Sequence, residues 1–376
     1  MVQFVDLPDI QFVAEDAAET QQSIITVYEG LTGRTLQPAD PVRLFLSSLA
    51  TIIVQQRVLI NQTAKGNLLR YASGVLLDHM GAFQGSERLD AAAAITTLQF
   101  TLSIPLSSVT AIPAGTRVGA QGGDGSIFFA TTEYLEIPAG ATTGTVTAEC
   151  ATAGPSGNGF LPGQINVLMD QLPFVQAVTN LTASSGGAAV ETDAAYRERI
   201  RTAPESYSTA GPKGAYEFWA KSTSAAILDV YAYSPAAGRV TIVPLLVGGV
   251  IPGQDVLDAV AETLEDRGIR PLTDLVTVTA PAAAAYNTVL TYYINRSRAA
   301  EVPAIQAAVT AAVAAYQLWQ RSKLGRHINP SELIARVMAA GAQRVVPTSP
   351  VYTALTPLQV AQEGTTTINY GGLVDD

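Results

Sequence analysis

One short helix with structure-breaking residues on both sides divides this chain into two kinds of sequence. The helix lies in segment 191–216, where Thr192 is a good N-cap and Asp193 places a negative charge in the first turn. Arg197 follows Asp193 by four residues, which predicts that the two side chains are neighbours on one helix face. Pro204 ends the helix. The chain before this segment is strand-like, whereas helices and strands alternate after it.

The N-terminal region, residues 1–95, has the apolar spacing of helices. Its longest predicted helix begins at Pro41 and carries a stripe of residues three, four, three and four positions apart. The stripe consists of Leu46, Leu49, Ile53 and Ile60, with Gln56 at the remaining position. This spacing suits a helix that packs on its own domain, and it suits equally a helix that joins a partner's helices in a bundle.

Residues 96–183 change to the period of β-strands. Apolar and polar residues alternate over 98–106, which is typical of a strand with one buried face. The tetrapeptide Ile-Pro-Ala-Gly occurs at 112–115 and again at 137–140, where proline second and glycine fourth suit a type I turn. Cys150 shares a strand face with apolar residues, so we predict a buried core thiol. The region is predicted to be an antiparallel β domain.

Two small α/β modules are predicted after the short helix. Residues 213–282 follow the order helix, strand, strand, helix and strand, which resembles a ferredoxin-like sandwich, with Gly268 as the end of the second helix. Residues 283–376 form the second module, in which Asn329 followed by proline is a strong helix start. The predicted fold class is therefore α+β multidomain, with an N-terminal helical segment, an antiparallel β domain and two small ferredoxin-like modules.

Small and helix-breaking residues gather at both ends of segment 184–212, which we interpret as a linker that contains the short helix. Gly186 and Gly187 follow two serines, and Gly211 and Pro212 precede the next helix. Glycine adopts backbone angles that other residues avoid, and proline interrupts a helix. We therefore predict hinges at these four residues.

Composition limits the functions that the chain can have. Charged residues make up 14% of the sequence, against roughly 25% in an average globular protein. This low content of charged residues is expected for a protein whose surface is covered by neighbouring subunits. It is also expected for an ordinary globular protein rich in alanine, threonine and glycine. The formal net charge of −10 argues against binding to a nucleic-acid backbone, because such binding needs lysine and arginine. A single cysteine rules out an intramolecular disulfide.

The titratable residues do not form a recognisable catalytic, cofactor or metal site, and we predict that the chain is not an enzyme. The two histidines, His79 and His327, are far apart in the sequence, so a nucleophile with an adjacent base is not predicted. Three arginines in the short helix could bind an anion, although pairing with acidic groups on a neighbouring subunit or on the same helix is favoured. They are Arg197, Arg199 and Arg201, with Glu198 and Asp193 as the local acids.

Three motifs carry a resemblance to a known family. Segment 191–216 contains Glu-Thr-Asp, Tyr-Arg-x-Arg-Ile, Ala-Pro-Glu-Ser-Tyr-Ser and Ala-Gly-Pro-x-Gly-Ala-Tyr in order. The β region contains Ile-Pro-Ala-Gly-Thr, Phe-Phe-Ala-Thr and the second Ile-Pro-Ala-Gly, and 71–81 contains Tyr-Ala-Ser-Gly-Val-Leu-Leu-Asp-His-Met-Gly. Together they resemble the baseplate J-like family, which comprises wedge proteins of contractile phage tails and related injection devices. The resemblance covers most of the chain.

The resemblance implies a structural component of a contractile-tail baseplate wedge. It implies a ring around the central spike or hub that rearranges on contraction, with copies paired as homodimers in a sixfold ring through their C-terminal modules. It also implies N-terminal helices that bundle with another wedge protein, and the sheath is a further candidate partner. The expected location is the virion tail baseplate, with neither nucleic acid nor membrane insertion.

Assembly in the bacterial host cytoplasm is expected on separate grounds. The N-terminus lacks the basic and apolar regions of a signal peptide, and the longest apolar run, 44–54, is too short to span a bilayer.

Two other functions remain open from the sequence. The β region could be a carbohydrate-binding or adhesion module at a cell surface, which predicts exposed aromatic side chains. A hydrolase whose carboxylates come from distant segments would leave no local motif. Neither alternative accounts as well for the low charge density together with successive α/β modules.

Overall fold

The computed structural model describes residues 7–120, 122, 125–208, 210–266, 269–271 and 273–375. The chain divides into two compact units. The helical unit consists of Met1–Arg88 and Thr192–Arg201, and the larger unit consists of Leu89–Glu191 and Thr202–Asp376. The chain therefore passes between the units three times, and the short helix of the predicted linker belongs to the helical unit.

Four helices form the helical unit. They are α1 (Ala17–Thr32), α2 (Pro41–Gly66), α3 (Gly74–Phe83) and α4 (Asp193–Thr202). Aspartates begin the first two helices, since the Asp16 side chain accepts a hydrogen bond from the Glu19 N–H and that of Asp40 accepts one from the Val42 N–H. Gly33 ends α1 in the left-handed conformation. The predicted N-terminal helical segment is thus present.

Helix α4 packs in the core of the helical unit through its apolar edge. Tyr196 is fully buried and Ile200 is 4% exposed, and both pack with Ala72 and Leu77. The Tyr196 hydroxyl donates a hydrogen bond of 2.6 Å to the backbone carbonyl of Ser86. This contact joins residues far apart in the sequence, so the predicted linker helix is an integral element of the unit.

Two of the three arginines of α4 bind the loops on either side of α3. Arg197 donates to the carbonyls of Leu69 and Ala72, at 2.8 and 2.6 Å. Arg199 donates to the Ser86 hydroxyl at 2.8 Å and to the Glu87 carbonyl. Arg201 pairs with Glu198 within the helix, as one of the sequence alternatives predicted.

Asp193 lies close enough to Arg197 for an electrostatic interaction, as the helix spacing predicted, but its direct partners come from outside α4. Asp193 accepts a hydrogen bond of 3.0 Å from the Gly74 N–H and forms a 2.8 Å ion pair with Arg88. Arg88 also pairs with Asp78 at 2.8 Å, so it joins α3 to α4. Helix spacing could not predict the pairing of Asp193 with Arg88, because Arg88 lies in a different part of the chain.

The larger unit begins with a barrel of six strands in the order β7-β3-β4-β6-β1-β8, in which all the pairs are antiparallel. The strands are β1 (Ile95–Leu102), β3 (Arg117–Ala120), β4 (Phe128–Thr131), β6 (Thr143–Cys150), β7 (Ile165–Leu168) and β8 (Val175–Asn180). Asn180 nearly closes the barrel, because its carbonyl accepts from the Gly163 N–H and its side chain accepts from the Ile165 N–H. This arrangement confirms the antiparallel β domain.

A two-stranded ribbon of β2 (Thr110–Ile112) and β5 (Leu135–Ile137) completes the barrel region. Each strand ends in a fully buried isoleucine that begins one of the Ile-Pro-Ala-Gly turns. The glycines of these turns, Gly115 and Gly140, have φ of 82° and 83°, a conformation that glycine adopts without strain. Cys150 is 3% exposed and packs in the barrel core, which confirms the predicted core thiol.

A module of three strands and two helices follows the barrel. It contains α5 (Lys213–Ser222), β9 (Ile227–Ala236), β10 (Arg239–Leu246), α6 (Gln254–Glu265) and β11 (Leu275–Val278). Strand β10 is central, antiparallel to β9 and parallel to β11. The element order agrees with the prediction, but the ferredoxin-like arrangement is not confirmed. That arrangement has a strand before the first helix, whereas a 3-10 turn, Ala203–Tyr207, precedes α5. Gly268, the predicted helix end, lies outside the described residues.

The last module also has a three-stranded sheet, in the order β13-β12-β14. Its elements are β12 (Ala282–Asn295), α7 (Val302–Arg321), α8 (Pro330–Ala339), β13 (Arg344–Ser349) and β14 (Gln359–Val374). Asn329 begins α8 as predicted, since its side chain accepts a hydrogen bond from the Ser331 N–H. A strand, two helices and two strands in sequence differ from the ferredoxin-like order, which is not confirmed for this module either.

A small shared core joins the two modules within the larger unit. Val243 and Leu245 of β10 pack with Leu324 and Val360 of the last module. Asp229 adds a polar contact, because its carboxylate accepts a 3.1 Å hydrogen bond from the Leu324 N–H.

Replacement of Gly81 by alanine is expected to destabilise the helical unit, whereas replacement of Gly30 in α1 is not. A Cβ atom at position 81 would overlap the Tyr196 hydroxyl, but nothing lies within 4 Å of one at position 30. We expect Gly81→Ala to lower the free energy of unfolding by about 2 kcal/mol, and Gly30→Ala to raise it by about 0.5 kcal/mol. Urea unfolding followed by circular dichroism measures both variants, and equal stabilities would contradict the packing described.

The ion pair of Asp193 is expected to make the helical unit less stable in acid. The hydrogen bond from Gly74 and the ion pair with Arg88 lower the pKa of Asp193 below its ordinary value. A carboxylate with a lowered pKa contributes stability above its ordinary pKa of about 3.9 and loses it as the pH falls through the folded value. Asp193→Asn should therefore be less stable than the parent at pH 7, by under about 1 kcal/mol because the group is partly exposed. Thermal melts across pH 2.5–7 test this, and a gap of constant size over that range would contradict it.

Candidate partner-docking surface

Helix α2 exposes large apolar side chains along one side. Phe45, Ile52 and Leu59 are 61%, 53% and 51% exposed, and each is seven residues from the next. Seven residues are nearly two helical turns, so the three side chains lie in one row. Monomeric soluble proteins rarely leave such contiguous apolar rows open to water.

The predicted stripe lies at the border between this row and the packed side of the helix. Leu46 is buried against its own unit at 9% exposure, which removes it from the predicted interface. Leu49, Ile53 and Ile60 are 37%, 40% and 51% exposed. Leu44 is also exposed, at 61%, but its helical position separates it from these residues. We call the α2 face the remaining exposed apolar set on this helix. It consists of Phe45, Leu49, Ile52, Ile53, Leu59 and Ile60.

At roughly 100° per residue, the α2 face spans an arc of about 120°. The sequence reasoning missed the row of Phe45, Ile52 and Leu59, which forms one edge of this arc. The seven-residue spacing of these three residues could have indicated this row. Both this row and the predicted stripe fit a heptad, so the sequence could not distinguish them. Packing against the rest of the unit decides which row faces outward.

The opposite side of α2 is held by the unit itself. Ala50 and Asn61 are buried there. The Asn61 side chain accepts hydrogen bonds from the N–H groups of Phe12 and Val13, at 2.9 and 3.0 Å, and donates to the Val13 carbonyl at 2.7 Å. The segment before α1 is thereby fixed along α2. The orientation of the α2 face is therefore set by contacts within the unit.

Helix α2 is a positively charged element in an acidic chain. It contains Arg43, Arg57 and Lys65 and no acidic residue, whereas the whole chain has a net charge of −10. Arg43 donates to the Leu36 carbonyl and Arg57 donates to the Thr20 hydroxyl, at 3.0 and 2.9 Å. These contacts are to neutral groups, so the positive charges of the two arginines are not neutralised by them.

Two other helices of the unit also expose apolar side chains. Val27 and Leu31 of α1 are 60% and 83% exposed, and Val75 and Phe83 of α3 are 70% and 87% exposed. Three helices of one small unit thus present apolar side chains to solvent.

Two helices in the described residues are long and apolar enough to cross a membrane, judged by length and composition alone. The second, Arg296–Arg321, contains α7, whose buried residues lie in the core of the last module. The first, α2, is amphipathic, because Thr51, Gln55 and Gln62 form an exposed polar side beside the α2 face. An amphipathic helix with one apolar side fits a protein partner better than a bilayer interior.

Potential metal ligands and the two histidines are dispersed among the described residues. No group of three or more histidine, cysteine, aspartate or glutamate side chains in the described part could hold a metal ion. His79 is exposed, and His327 accepts a 3.0 Å hydrogen bond from the Leu355 N–H through Nδ1. A cavity of about 360 Å³ within the larger unit is lined by Leu246, Val250 and small or uncharged residues. An active site would normally gather titratable groups in such a cavity.

The predicted hinge residues at 186 and 187 lie in a hydrogen-bonded segment of the larger unit. The Asn158 side chain accepts from the Gly187 N–H at 2.9 Å and donates to its carbonyl at 2.7 Å. A Cβ atom on Gly187 would overlap the carbonyl of Gly154, and one on Gly186 would lie 3.2 Å from Val256. The glycine-rich loop 154–159 therefore supports this segment, a role for which the sequence gave no signal.

The second predicted hinge is packed as well. A Cβ atom on Gly211 would lie 2.8 Å from Pro271. The Pro212 carbonyl accepts the first hydrogen bond of α5, from the Ala215 N–H at 3.0 Å. Bending at these residues stays a prediction, and the contacts of all four residues weigh against it.

Three domains of one protein family match successive parts of the chain. The baseplate J-like protein barrel domain matches residues 97–187, the central domain matches 208–280 and the C-terminal domain matches 289–369. These ranges correspond to the barrel and the two modules of the larger unit, and together they exceed half of the chain. The chain belongs to the baseplate J-like family. The α2 face of this baseplate J-like protein precedes all three matched regions.

Two similar proteins accompany this assignment. Baseplate protein J of Escherichia phage P2 is 33% identical over 171 residues, which are 44% of this baseplate J-like chain and 54% of that protein. The match thus spans about half the length of the phage P2 relative. A chain in the cryo-EM structure of the anti-feeding prophage (AFP) baseplate, 6-fold symmetrised, aligns over 92% of this chain and 90% of its own length, with 16% identity and a TM-score of 0.34. That TM-score is too low to support an argument.

Replacement of exposed residues on the α2 face is expected to change solubility without changing the fold. Phe45→Ser with Ile52→Ser removes apolar side chains that contact mainly solvent, so the melting temperature should move by less than about 2 °C. Binding of a hydrophobic dye and self-association should both decrease. Ile25→Ser is the control, because Ile25 is 2% exposed and its loss should cost about 2 kcal/mol or more. A large loss of stability in the double variant would show that the α2 face packs inside the unit.

Proposed function

We propose that this protein is a structural component of the baseplate of a contractile tail or related injection device, and that its α2 face binds helices of another baseplate protein. The single observation that carries the proposal is the α2 face, an apolar surface about four helical turns long that its own unit leaves open. Membership of the baseplate J-like family supports a location in a baseplate.

The partner's chemistry follows from the surface. The row of Phe45, Ile52 and Leu59 has heptad spacing, so the fitting element is a helix with apolar residues at two positions of each heptad. The exposed glutamine in the face, Gln56, would favour one register over others, as a polar residue in a coiled-coil seam does. The positive charges of α2 favour acidic residues beside the partner's apolar row.

The finer assembly is part of the same proposal. Copies of the protein form a ring around the central hub or spike, pair as homodimers, and contact other wedge proteins and the sheath. The ring rearranges when the tail contracts. A structural protein of this kind is expected to work by changing which interfaces it makes rather than by turnover. The low content of charged residues, 14%, supports extensive coverage by neighbours.

The test is co-expression of the full chain with the tail proteins encoded beside it, followed by affinity purification and native mass measurement. The test variant is Phe45→Glu, Ile52→Glu and Leu59→Glu. The matched control carries Thr51→Glu, Gln55→Glu and Gln62→Glu, which place three negative charges on the exposed polar side of the same helix. We expect the parent and the control to co-purify with a helical tail protein, and the test variant to lose at least about 90% of it, because burying three unpaired carboxylates is costly.

Two results would contradict the proposal. Equal co-purification by the test and control variants would place the partner elsewhere on the molecule. Binding of the parent to lipid vesicles, lost in the test variant and kept in the control, would make α2 a membrane-surface helix instead.

The adhesion alternative is weaker in this structure. Two barrel aromatics, Tyr134 and Phe174, are each 55% exposed. No contact between these two rings occurs among the described residues, so they do not form a stacked platform for a sugar ring.

A further inference from the structure

Phe174 occupies a position in the barrel where glycine is the usual residue. Its φ of 64° is the one positive φ of a non-glycine residue in the described part of the chain. It is the third residue of a turn in which Pro173 is second and the Val175 N–H donates to the Leu172 carbonyl at 3.4 Å. These are features of a type II turn, which favours glycine or asparagine at the third place. A bulky side chain there strains the backbone.

The strained residue is not buried in return. Phe174 is 55% exposed. The backbone of the turn is fixed, because the Phe174 carbonyl accepts a 2.9 Å hydrogen bond from the Ser103 N–H. That bond brings the next residue, Ile104, beside the turn, and Ile104 is 54% exposed. One end of the barrel thus presents an aromatic and an aliphatic side chain to solvent, and strain retained at an exposed side chain points to a binding role.

A cavity lies at the opposite end of the same strand. Strand β1 ends at Leu102, and the next residue, Ser103, contacts Phe174. At the start of β1, Ile95 pairs with Ser185, which lines the cavity of about 360 Å³. Eight residues of extended strand separate the two sites by about 25 Å. The larger unit therefore carries a projecting aromatic side chain and a cavity at two separate places.

The cavity has a lining that suits an apolar ring. One wall contains aliphatic side chains of the module after the barrel, among them Leu246, Val247 and Val250. Val247 and Val250 are 56% and 49% exposed, so this wall is open to solvent. The other wall contains segment 182–187, which offers hydroxyl and backbone groups. The volume lies at the lower end of the range for ligand cavities, and it exceeds the volume of one aromatic side chain.

Both sites are uncharged although the chain is acidic. Segments 91–116, 137–148 and 171–190, which form the Phe174 end of the barrel, contain no charged residue. The residues that line the cavity are also uncharged. Two copies with a net charge of −10 repel each other, and uncharged surfaces are where they approach with least repulsion. A partner selected by charge would gain nothing at either site, so the neutrality of both favours a second copy as the occupant.

We propose that the Phe174 ring of one copy inserts into this cavity of a second copy. The two surfaces differ, so each copy offers its phenylalanine to the next copy and its cavity to the one before. Head-to-tail contacts of this kind close into a ring or continue as a filament, depending on the rotation between copies. The inference rests on the ring of the proposed function, and it adds a contact between neighbouring copies that does not use the α2 face.

The test is disulfide cross-linking of full-length chains, because the native Cys150 is buried. One chain carries Ile104→Cys, which keeps Phe174, and the other carries Val247→Cys at the cavity. Under mild oxidation the mixture should give a heterodimer, since pairing raises the effective concentration of the two thiols. The matched control replaces the first cysteine by Ala314→Cys, at an exposed position on α7, and should give at least about tenfold less heterodimer.

Phe174→Gly in the Ile104→Cys chain separates the contact from the fold. Glycine adopts a positive φ without strain, so the melting temperature should stay the same or rise. Cross-linking should fall at least about tenfold, because a central aromatic side chain dominates a small contact.

The cavity is tested in the Val247→Cys chain. Val250→Arg should lower the yield of heterodimer as strongly as Phe174→Gly does, since it places a charge in an apolar cavity. Its matched control is Leu318→Arg, at a 49% exposed position on α7, which should leave the yield unchanged.

Three results would overturn the inference. They are undiminished cross-linking of Phe174→Gly, a lower melting temperature for Phe174→Gly, and no heterodimer from the Ile104→Cys and Val247→Cys pair at any concentration. The second would show that the ring stabilises the barrel itself. Co-purification through the α2 face is a separate measurement, and its failure with cross-linking intact would overturn the proposed function alone.

Discussion

The helical unit depends on the close approach of Tyr196 to the glycine at position 81. A side chain on α3 at that position would occupy the space of the tyrosine hydroxyl, so α4 could not reach the Ser86 carbonyl. Burial of one large aromatic side chain contributes about 2–3 kcal/mol, a large share of the stability of a small unit. The contact also requires a segment from the middle of the chain to return to the N-terminal helices.

This contact has consequences for the surface that the unit presents. Two arginines of α4 bind carbonyls in the loops on both sides of α3, and Asn61 fixes the segment before α1 along α2. These contacts use the inner side of α2 and leave its apolar outer side exposed. An exposed apolar row lowers the solubility of the unbound chain, and this effect disappears when a partner covers the row. The fold is therefore consistent with a protein that completes its core in an assembly.

The strand edges of the larger unit are of two kinds, protected and open. The barrel nearly closes on itself through Asn180. Strand β13 contains a proline and an arginine, which disfavour the addition of another strand at its edge. Strand β14 keeps one side open over an uncharged segment, and two register shifts interrupt its pairing with β12.

The sequence by itself determined the local elements. It predicted the N-terminal helices, the antiparallel β region with its buried Cys150, the helix start at Asn329 and the family, because apolar period, turn residues and caps act over a few residues. It did not determine which apolar row of α2 faces outward, that Asp193 pairs with Arg88, or that Asn158 holds the segment at Gly187. Those choices were decided by tertiary structure. They depend on contacts between segments far apart in the chain, and no local spacing encodes the distance between such segments.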